Sequence, residues 1–388
     1  MKIILIGNYQ LDRQESMDRF ADMLVMGLRK TGLELEFWRP VECFGAMAKS
    51  TTSGVGKWIG YIDKWLLYPI ILWWRVRRLG LDNKAVLFHI CDHSNAPYLQ
   101  FLPNFNTGIT CHDVLAIRGA LGDKDTHCKA SLFGKILQKW ILKYLLKANR
   151  LAAVSEQTLH QLQNLAQVDK THLNTWRVIH NAFNAEFRIM EEQERNSLLH
   201  KAGINPKEPF VLHVGSGLPR KNRKLLLDMV DCLGSGWNGN ICFAGEAPDK
   251  DLVSHVYSLS LQERVYFVVS PSHSTLVALY NGCEAFIFPS FSEGFGWPLI
   301  EAQACGAPVI ASNIEPMPEV SGGAALHVDP SRPQDFAQAF NTLQNEDIRS
   351  KLIKLGLENA LRFQTKQMIE SYLELYGLGS YKSDLHVA

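Results

Sequence analysis

Two short apolar runs, residues 285–289 and 309–311, bracket a tight loop and a short helix, and few folds accommodate that unit. Apolar runs of this length bounded by Gly and Pro read as buried strands. Between them, Gly294 and Gly296 let the backbone turn sharply and come close to a ligand. Pro298 suits the first helical position and Gly306 the position just past the last. The loop then lies at the carboxyl end of a parallel strand, where open α/β sheets place their ligands. A helix N-terminus there offers unpaired N–H groups to an anion such as a phosphate. Glu293 in the loop and Glu301 on the helix, eight residues apart, can reach different hydroxyls of one long ligand.

The rest of the chain alternates in the same way, twice. Residues 3–6, 33–39, 86–90, 108–111 and 151–155 read as strands, with helical periodicity at 17–30 and 135–147. The segment 186–208 is polar and charged, closed by Pro206, and reads as a connector. Strands then resume at 210–214, 241–244, 265–269, 285–289 and 309–311, and the chain is mainly helical after Asp335. Such alternation predicts a parallel, doubly wound sheet in each half. The domains expected are 1–185, 209–364 after the connector, and a terminal helical segment 365–388.

Composition excludes several classes. A length of 388 residues suits two cores better than one. A net charge of +1 gives no nucleic-acid footprint. Eight scattered cysteines without a C-x-x-C pair suggest reduced core thiols rather than a zinc ribbon or disulfide framework. The opening apolar run 3–6 is too short for a secretory signal, and no segment has the roughly 20 apolar residues that span a bilayer. A cytoplasmic protein is expected.

The stretch Glu293-Gly294-Phe295-Gly296-Trp297-Pro298-Leu299-Ile300-Glu301-Ala302, followed by Gly306-Ala307-Pro308-Val309-Ile310, resembles the donor-site signature of family 4 glycosyltransferases. The resemblance covers essentially the whole second half. It implies a GT-B fold, in which two doubly wound Rossmann-like domains face each other across a cleft and the last helix crosses back to the first domain. It also implies that Glu293 contacts hydroxyls of the transferred sugar and Glu301 the ribose. The backbone at Gly294, Phe295 and Gly296 would face sugar and diphosphate, and the amides of Leu299 and Ile300 the diphosphate.

Other residues follow from position. Gly215 ends a strand and leads into Arg220-Lys221-Asn222-Arg223-Lys224, cations that suit a diphosphate. By the resemblance Lys221 neutralises the leaving diphosphate. Ser216 stands where many relatives have the partner arginine, so Arg220 or Arg223 takes that part. Gly245, Glu246 and Val269 sit at strand ends where relatives cradle the nucleobase. His112, after the strand 108–111, fits a histidine beside the donor sugar, with Asp113 either orienting its ring or turning the chain. The first loop lacks the family's glycine pair, leaving Gln14, Glu15 and Ser16 to line it. Residues 57–78 carry Trp58, Tyr61, Trp65, Tyr68, Trp73 and Trp74 with Arg75, Arg77 and Arg78, a composition open to core packing or to peripheral contact with a membrane. Pro69 would break a single long helix there.

The resemblance implies a retaining hexosyltransferase that uses a UDP- or GDP-sugar, without cofactor or metal, on a glycan or lipid-linked acceptor in polysaccharide or glycolipid assembly. A sugar-nucleotide epimerase of similar fold, needing no acceptor, and a non-catalytic sugar-nucleotide-binding module are the alternatives.

Overall fold

The computed structural model describes residues 1–47, 50–51, 54–80, 85–128, 130–166 and 175–379. Its first sheet comprises β1 (Lys2–Ile6), β2 (Glu34–Trp38), β3 (Val86–Ile90), β4 (Thr107–Cys111), β5 (Arg150–Ala153) and β6 (Trp176–Val178). All neighbours are parallel, in the order β2-β1-β3-β4-β5-β6. β1, β3 and β4 lie inside the sheet, and Ile4, Ile6, Phe88, Ile90 and Ile109 are buried in its core, as unbroken apolar strands covered on both faces must be.

The second sheet comprises β7 (Phe210–Gly215), β8 (Asn240–Gly245), β9 (Val265–Val269), β10 (Ala285–Phe288), β11 (Val309–Ser312) and β12 (Leu326–Val328). It is also parallel, ordered β12-β11-β10-β7-β8-β9. From β7 the chain builds outward through β8 to β9, then crosses back to lay β10 on the other side of β7. A crevice therefore opens between the carboxyl ends of β7 and β10. β12, only three residues long and half-buried, is too short to stand out in the sequence.

The chain divides into two units, Met1–Gly122 with Lys129–Asn184 and Thr365–Ala388, and Asp123–Cys128 with Ala185–Gln364. The stretch 186–208, expected as a connector, carries the helix Glu192–Lys201, which buries Leu199 within the second unit. Met190 just before it donates its N–H to the Asn281 side chain at 2.8 Å. The helix Thr365–Leu375 belongs to the first unit, where Tyr372 Oη meets Thr110 Oγ1 at 2.8 Å. Tyr376 Oη, just past it, donates to the Phe88 carbonyl at 2.8 Å.

The aromatic segment divides by face. Helices Gly54–Ile62 and Tyr68–Leu79 are joined without a break through a π turn, Asp63–Leu67. Pro69 does not interrupt them, because it lies in the first turn after the π segment, where a proline is tolerated. Asp63, Tyr68, Leu72 and Val76 are buried, and Trp65 packs against Tyr98 and Trp140 with ring centres 5.4 and 5.1 Å apart. Val55, Trp58, Ile62, Leu66, Ile70, Trp73 and Trp74 recur every three or four residues and stand exposed, Leu66 at 63% and Trp74 at 49%. Arg77 and Arg78 lie over the Trp73 and Trp74 rings at 4.2 and 3.5 Å. The helix Leu132–Leu145 adds exposed Leu132, Phe133 and Ile136, Phe133 meeting Trp58 edge-on at 4.6 Å, and exposed Lys135, Lys139 and Lys143. Among the described residues no helix is long and apolar enough to cross a membrane.

Candidate active site

Two loops meet at the crevice of the second sheet. After β7 a single 3₁₀ turn, Pro219–Lys221, ends on Asn222 in the left-handed region (φ 53°), and the helix Arg223–Leu233 follows. The Asn222 side chain donates to the carbonyls of Pro289 and Pro330 at 3.2 and 2.7 Å. The Phe291 N–H donates to the Arg220 carbonyl at 2.8 Å, so the loop after β7 is laced to the loop after β10.

That lacing brings Arg220, Lys221 and Glu293 together. Lys221 Nζ lies 2.6 Å from Glu293 Oε1, and Arg220 Nη1 lies 2.7 Å from Oε2 while also donating to the Ser292 carbonyl at 2.8 Å. Lys221 is only 8% exposed, and its ammonium sits 5.3 Å from the Phe288 ring. Burial pulls the Lys221 pKa below its usual value, an effect that the Glu293 charge opposes. Burial pushes Glu293 the other way, but the two cations and their hydrogen bonds outweigh it and hold the carboxyl at about 2. The three groups carry a net charge of one positive unit in a nearly dry crevice, where electrostatic interactions are strong.

Glu301 lies on the helix Trp297–Ala304 and is buried, its Oε2 accepting from Tyr280 Oη at 2.9 Å. Gly296 caps that helix with φ 96°, and a Cβ there would come within 3.3 Å of the Phe288 ring. Phe295 is buried against Phe363, with ring centres 5.7 Å apart, so its ring is a packing element. Leu299 and Ile300 are fully buried. The Leu299 amide, expected to face an anion, instead donates to the Gly296 carbonyl at 3.0 Å within the first turn.

The ends of β7, β8 and β9 line up, with Gly215 opposite Gly245 and Gly245 opposite Val269. A side chain on Gly245 (φ 123°) would strike the Gly215 carbonyl at 2.5 Å, so that close approach requires glycine. Glu246 Oε2 accepts from the Gly217 N–H at 2.7 Å and closes the turn after β7. Val269 is 51% exposed although it ends a strand. Arg223 turns toward the loop after β8, donating to the Glu246 carbonyl at 3.1 Å. Of the two arginines offered by the sequence, Arg220 is the one beside Lys221.

His112 lies in the first unit after β4, buried, its Nε2 donating to the Cys91 carbonyl at 2.9 Å and its ring edge-on to Phe20 at 4.5 Å. Burial lowers its pKa against the opposing charge of Asp92. Asp113 turns the chain, accepting from the Leu115 N–H at 2.9 Å. Of Gln14, Glu15 and Ser16, only Gln14 reaches inward, accepting from Asn8 at 2.5 Å.

Sequence reasoning missed Tyr280 and His213. Tyr280 gives no local sign, because its partner lies 21 residues away across two helices. His213 was legible as the one ionisable residue in the apolar run of β7. It is fully buried, Nδ1 is 3.2 Å from the Ile287 carbonyl and, among the described residues, Nε2 has no hydrogen-bond partner; burial drops its pKa to about 4.

Residues 194–358 match the family model for glycosyl transferases group 1. The O-antigen chain mannosyltransferase RfbU of Salmonella typhimurium is 26% identical over 72% of this chain and 70% of its own length. Of other curated relatives the chain spans about half the length, 45% and 52% in two cases. Sucrose-phosphate synthase from Thermosynechococcus elongatus superposes with a TM-score of 0.70 over 97% of this chain and 98% of its own, at 19% identity. Anabaena HepE, in complex with UDP and glucose, superposes with a TM-score of 0.70 over 96% and 98%, at 15% identity. The fold is GT-B, and residues 194–358 carry the likeness to glycosyl transferases group 1.

Proposed function

We propose that the protein is a retaining hexosyltransferase that moves a sugar from a UDP- or GDP-sugar to an acceptor hydroxyl in the assembly of a cell-surface polysaccharide or glycolipid. The observation that carries this reading is the Arg220–Glu293–Lys221 cluster at the crevice of the second sheet. The bond from C1 of the sugar to the β-phosphate breaks, and the diphosphate leaves with the electron pair. The acceptor oxygen bonds to C1 and releases its proton. Charge grows on the diphosphate as the sugar becomes oxocarbenium-like, and Lys221 and Arg220 neutralise it. Glu293 keeps Lys221 protonated before the donor arrives and holds sugar hydroxyls once it is bound. Glu301 accepts from the ribose, with Tyr280 fixing its carboxylate. The strand ends at Gly215, Gly245 and Val269 offer backbone groups to the base.

No cofactor or metal enters this reading, and activity is expected to survive EDTA. HepE is described with UDP and glucose and RfbU as an O-antigen chain mannosyltransferase, which supports a nucleotide-sugar donor and a glycan acceptor. The exposed apolar stripe with its flanking cations supports peripheral contact with an anionic membrane, where a lipid-linked acceptor would lie. The test is incubation with UDP- and GDP-hexoses in the presence of candidate glycan acceptors. Nucleoside diphosphate should be released only when acceptor is present, and NMR should show the product with the donor's anomeric configuration. Conversion of donor without acceptor would instead mark an epimerase.

A further inference from the structure

β7 carries a histidine at the point where the second sheet opens. The pairing of β7 with β10 ends at Leu212 opposite Phe286, whereas its pairing with β8 continues to Gly215 opposite Gly245. His213 is therefore the first residue of β7 beyond the parting, and its Nδ1, 3.2 Å from the Ile287 carbonyl, bridges the two strands there. A carbonyl only accepts, so Nδ1 carries the proton of the neutral ring and Nε2 is left as an acceptor. Burial, aided by the charges of Lys221 and Arg223, outweighs the Ile287 bond and the Glu293 charge and drops the pKa to about 4, so the ring is neutral at pH 7.

The free acceptor faces Lys221. His213 and Gly215, two apart on one strand, share a face of the sheet. A Cβ on Gly215 would lie 3.6 Å from His213 Nε2, 3.6 Å from Lys221 Cδ and 3.8 Å from Lys221 Cε. The imidazole nitrogen and the end of the lysine stem thus close on one small space from two sides, and the glycine leaves that space open. Among the described residues Nε2 has no hydrogen-bond partner, although His213 is fully buried. Buried acceptors are nearly always paired, so one left over at a site calls for a donor.

An ammonium has three N–H groups to give. Lys221 directs one to Glu293 at 2.6 Å. In the proposed reaction a diphosphate takes another, and Glu293 turns to the sugar hydroxyls. We infer that His213 is a positioning residue for Lys221, its Nε2 accepting from the Lys221 ammonium in the donor complex and holding that ammonium on the diphosphate while Glu293 serves the sugar. An imidazole suits the place because it accepts without the negative charge with which a second carboxylate would repel a diphosphate. The inference rests on the proposed binding of a nucleoside diphosphate sugar at this crevice.

Calorimetric titration of UDP and of GDP into the full chain tests it through a double-mutant cycle. His213→Asn keeps an N–H for the Ile287 carbonyl and loses the outer acceptor, whereas His213→Gln extends an amide oxygen toward the place of Nε2. His213→Asn should weaken whichever nucleotide the wild type binds by about threefold to tenfold, the effect of one hydrogen bond, and His213→Gln should restore it to within about twofold. In a Lys221→Ala background His213→Asn should have no further effect, since the coupling of two partners vanishes once either is gone. His213→Phe, which keeps a ring against Phe243, takes the place of His213→Asn in the cycle if the asparagine variant does not fold. Unchanged affinity, a loss that glutamine does not restore, or a loss that persists without Lys221 overturns the role of His213 and leaves the donor site standing. A wild type that binds neither nucleotide overturns the donor reading, and this inference with it.

Discussion

Glu293 divides its carboxylate between two cations, one oxygen 2.6 Å from Lys221 Nζ and the other 2.7 Å from Arg220 Nη1. The pairs join the loops that follow β7 and β10, the two strands between which the second sheet reverses its order. A carboxylate in that place opposes the effect of burial and favours the charged form of the lysine.

The clearest consequence concerns pH. Burial depresses the Lys221 pKa and Glu293 raises it, so Glu293→Gln lowers it further. Lys221 then loses its proton at lower pH, and the alkaline limb of the kcat/KM profile should move to lower pH in the variant. An unmoved limb would show that Lys221 does not depend on Glu293 for its charge.

The same pair should support the fold against acid. Glu293 has a depressed pKa, about 2 against the usual 4.5. Its contribution is therefore complete above 4.5 and is lost as pH falls toward 2. Thermal unfolding from pH 6 to 3 should show a steeper loss of melting temperature in the wild type than in Glu293→Gln, and parallel curves would count against a paired carboxylate.

Lys221→Ala should lower kcat by more than it raises KM, because charge builds on the diphosphate only as the glycosidic bond breaks. If KM alone rises, the lysine merely binds the donor and Arg220 serves the leaving group.

Gly296→Ala forces a side chain into φ 96° and to within 3.3 Å of the Phe288 ring. A strained backbone of this kind costs about 1–3 kcal/mol, which for a domain of this size lowers the melting temperature by roughly 2–4 °C per kcal/mol. Calorimetry on the purified variant checks it, and an unchanged transition would mean that the cap relaxes freely.

The outer stripe predicts binding to vesicles that contain anionic lipid, with each basic residue near the surface contributing about 1 kcal/mol and salt weakening the attraction. Co-sedimentation at low and high salt, with Arg75, Arg77 and Arg78 changed to glutamate as the control, is the check. A wild type that stays in the supernatant at low salt removes the membrane from the account.

Much of this was legible in the chain because apolar runs and glycines report on backbone locally. The strands at 210–214, 241–244 and 285–289 stand within a residue or two of the observed β7, β8 and β10, and Gly296 and Gly306 mark the ends of the helix between β10 and β11. What escaped depends on contacts made at a distance. The connector at 186–208 holds a helix because Leu199 finds a core that the local sequence does not contain. The amide of Leu299 closes on the Gly296 carbonyl, which the local sequence does not show. Trp65 and Trp58 look alike in the sequence, yet the π turn sends Trp65 toward Tyr98 while Trp58 faces outward.

The most direct test of the central claim is calorimetric titration of UDP and GDP into the wild type and Glu301→Ala. One of the two should bind the wild type. Loss of a charged acceptor to the ribose is worth about 1.5–3 kcal/mol, a weakening of about tenfold to 150-fold. The variant should show it with free nucleotide as fully as with the sugar nucleotide. A wild type that binds neither nucleotide, or a variant that binds as tightly as the wild type, would contradict the account.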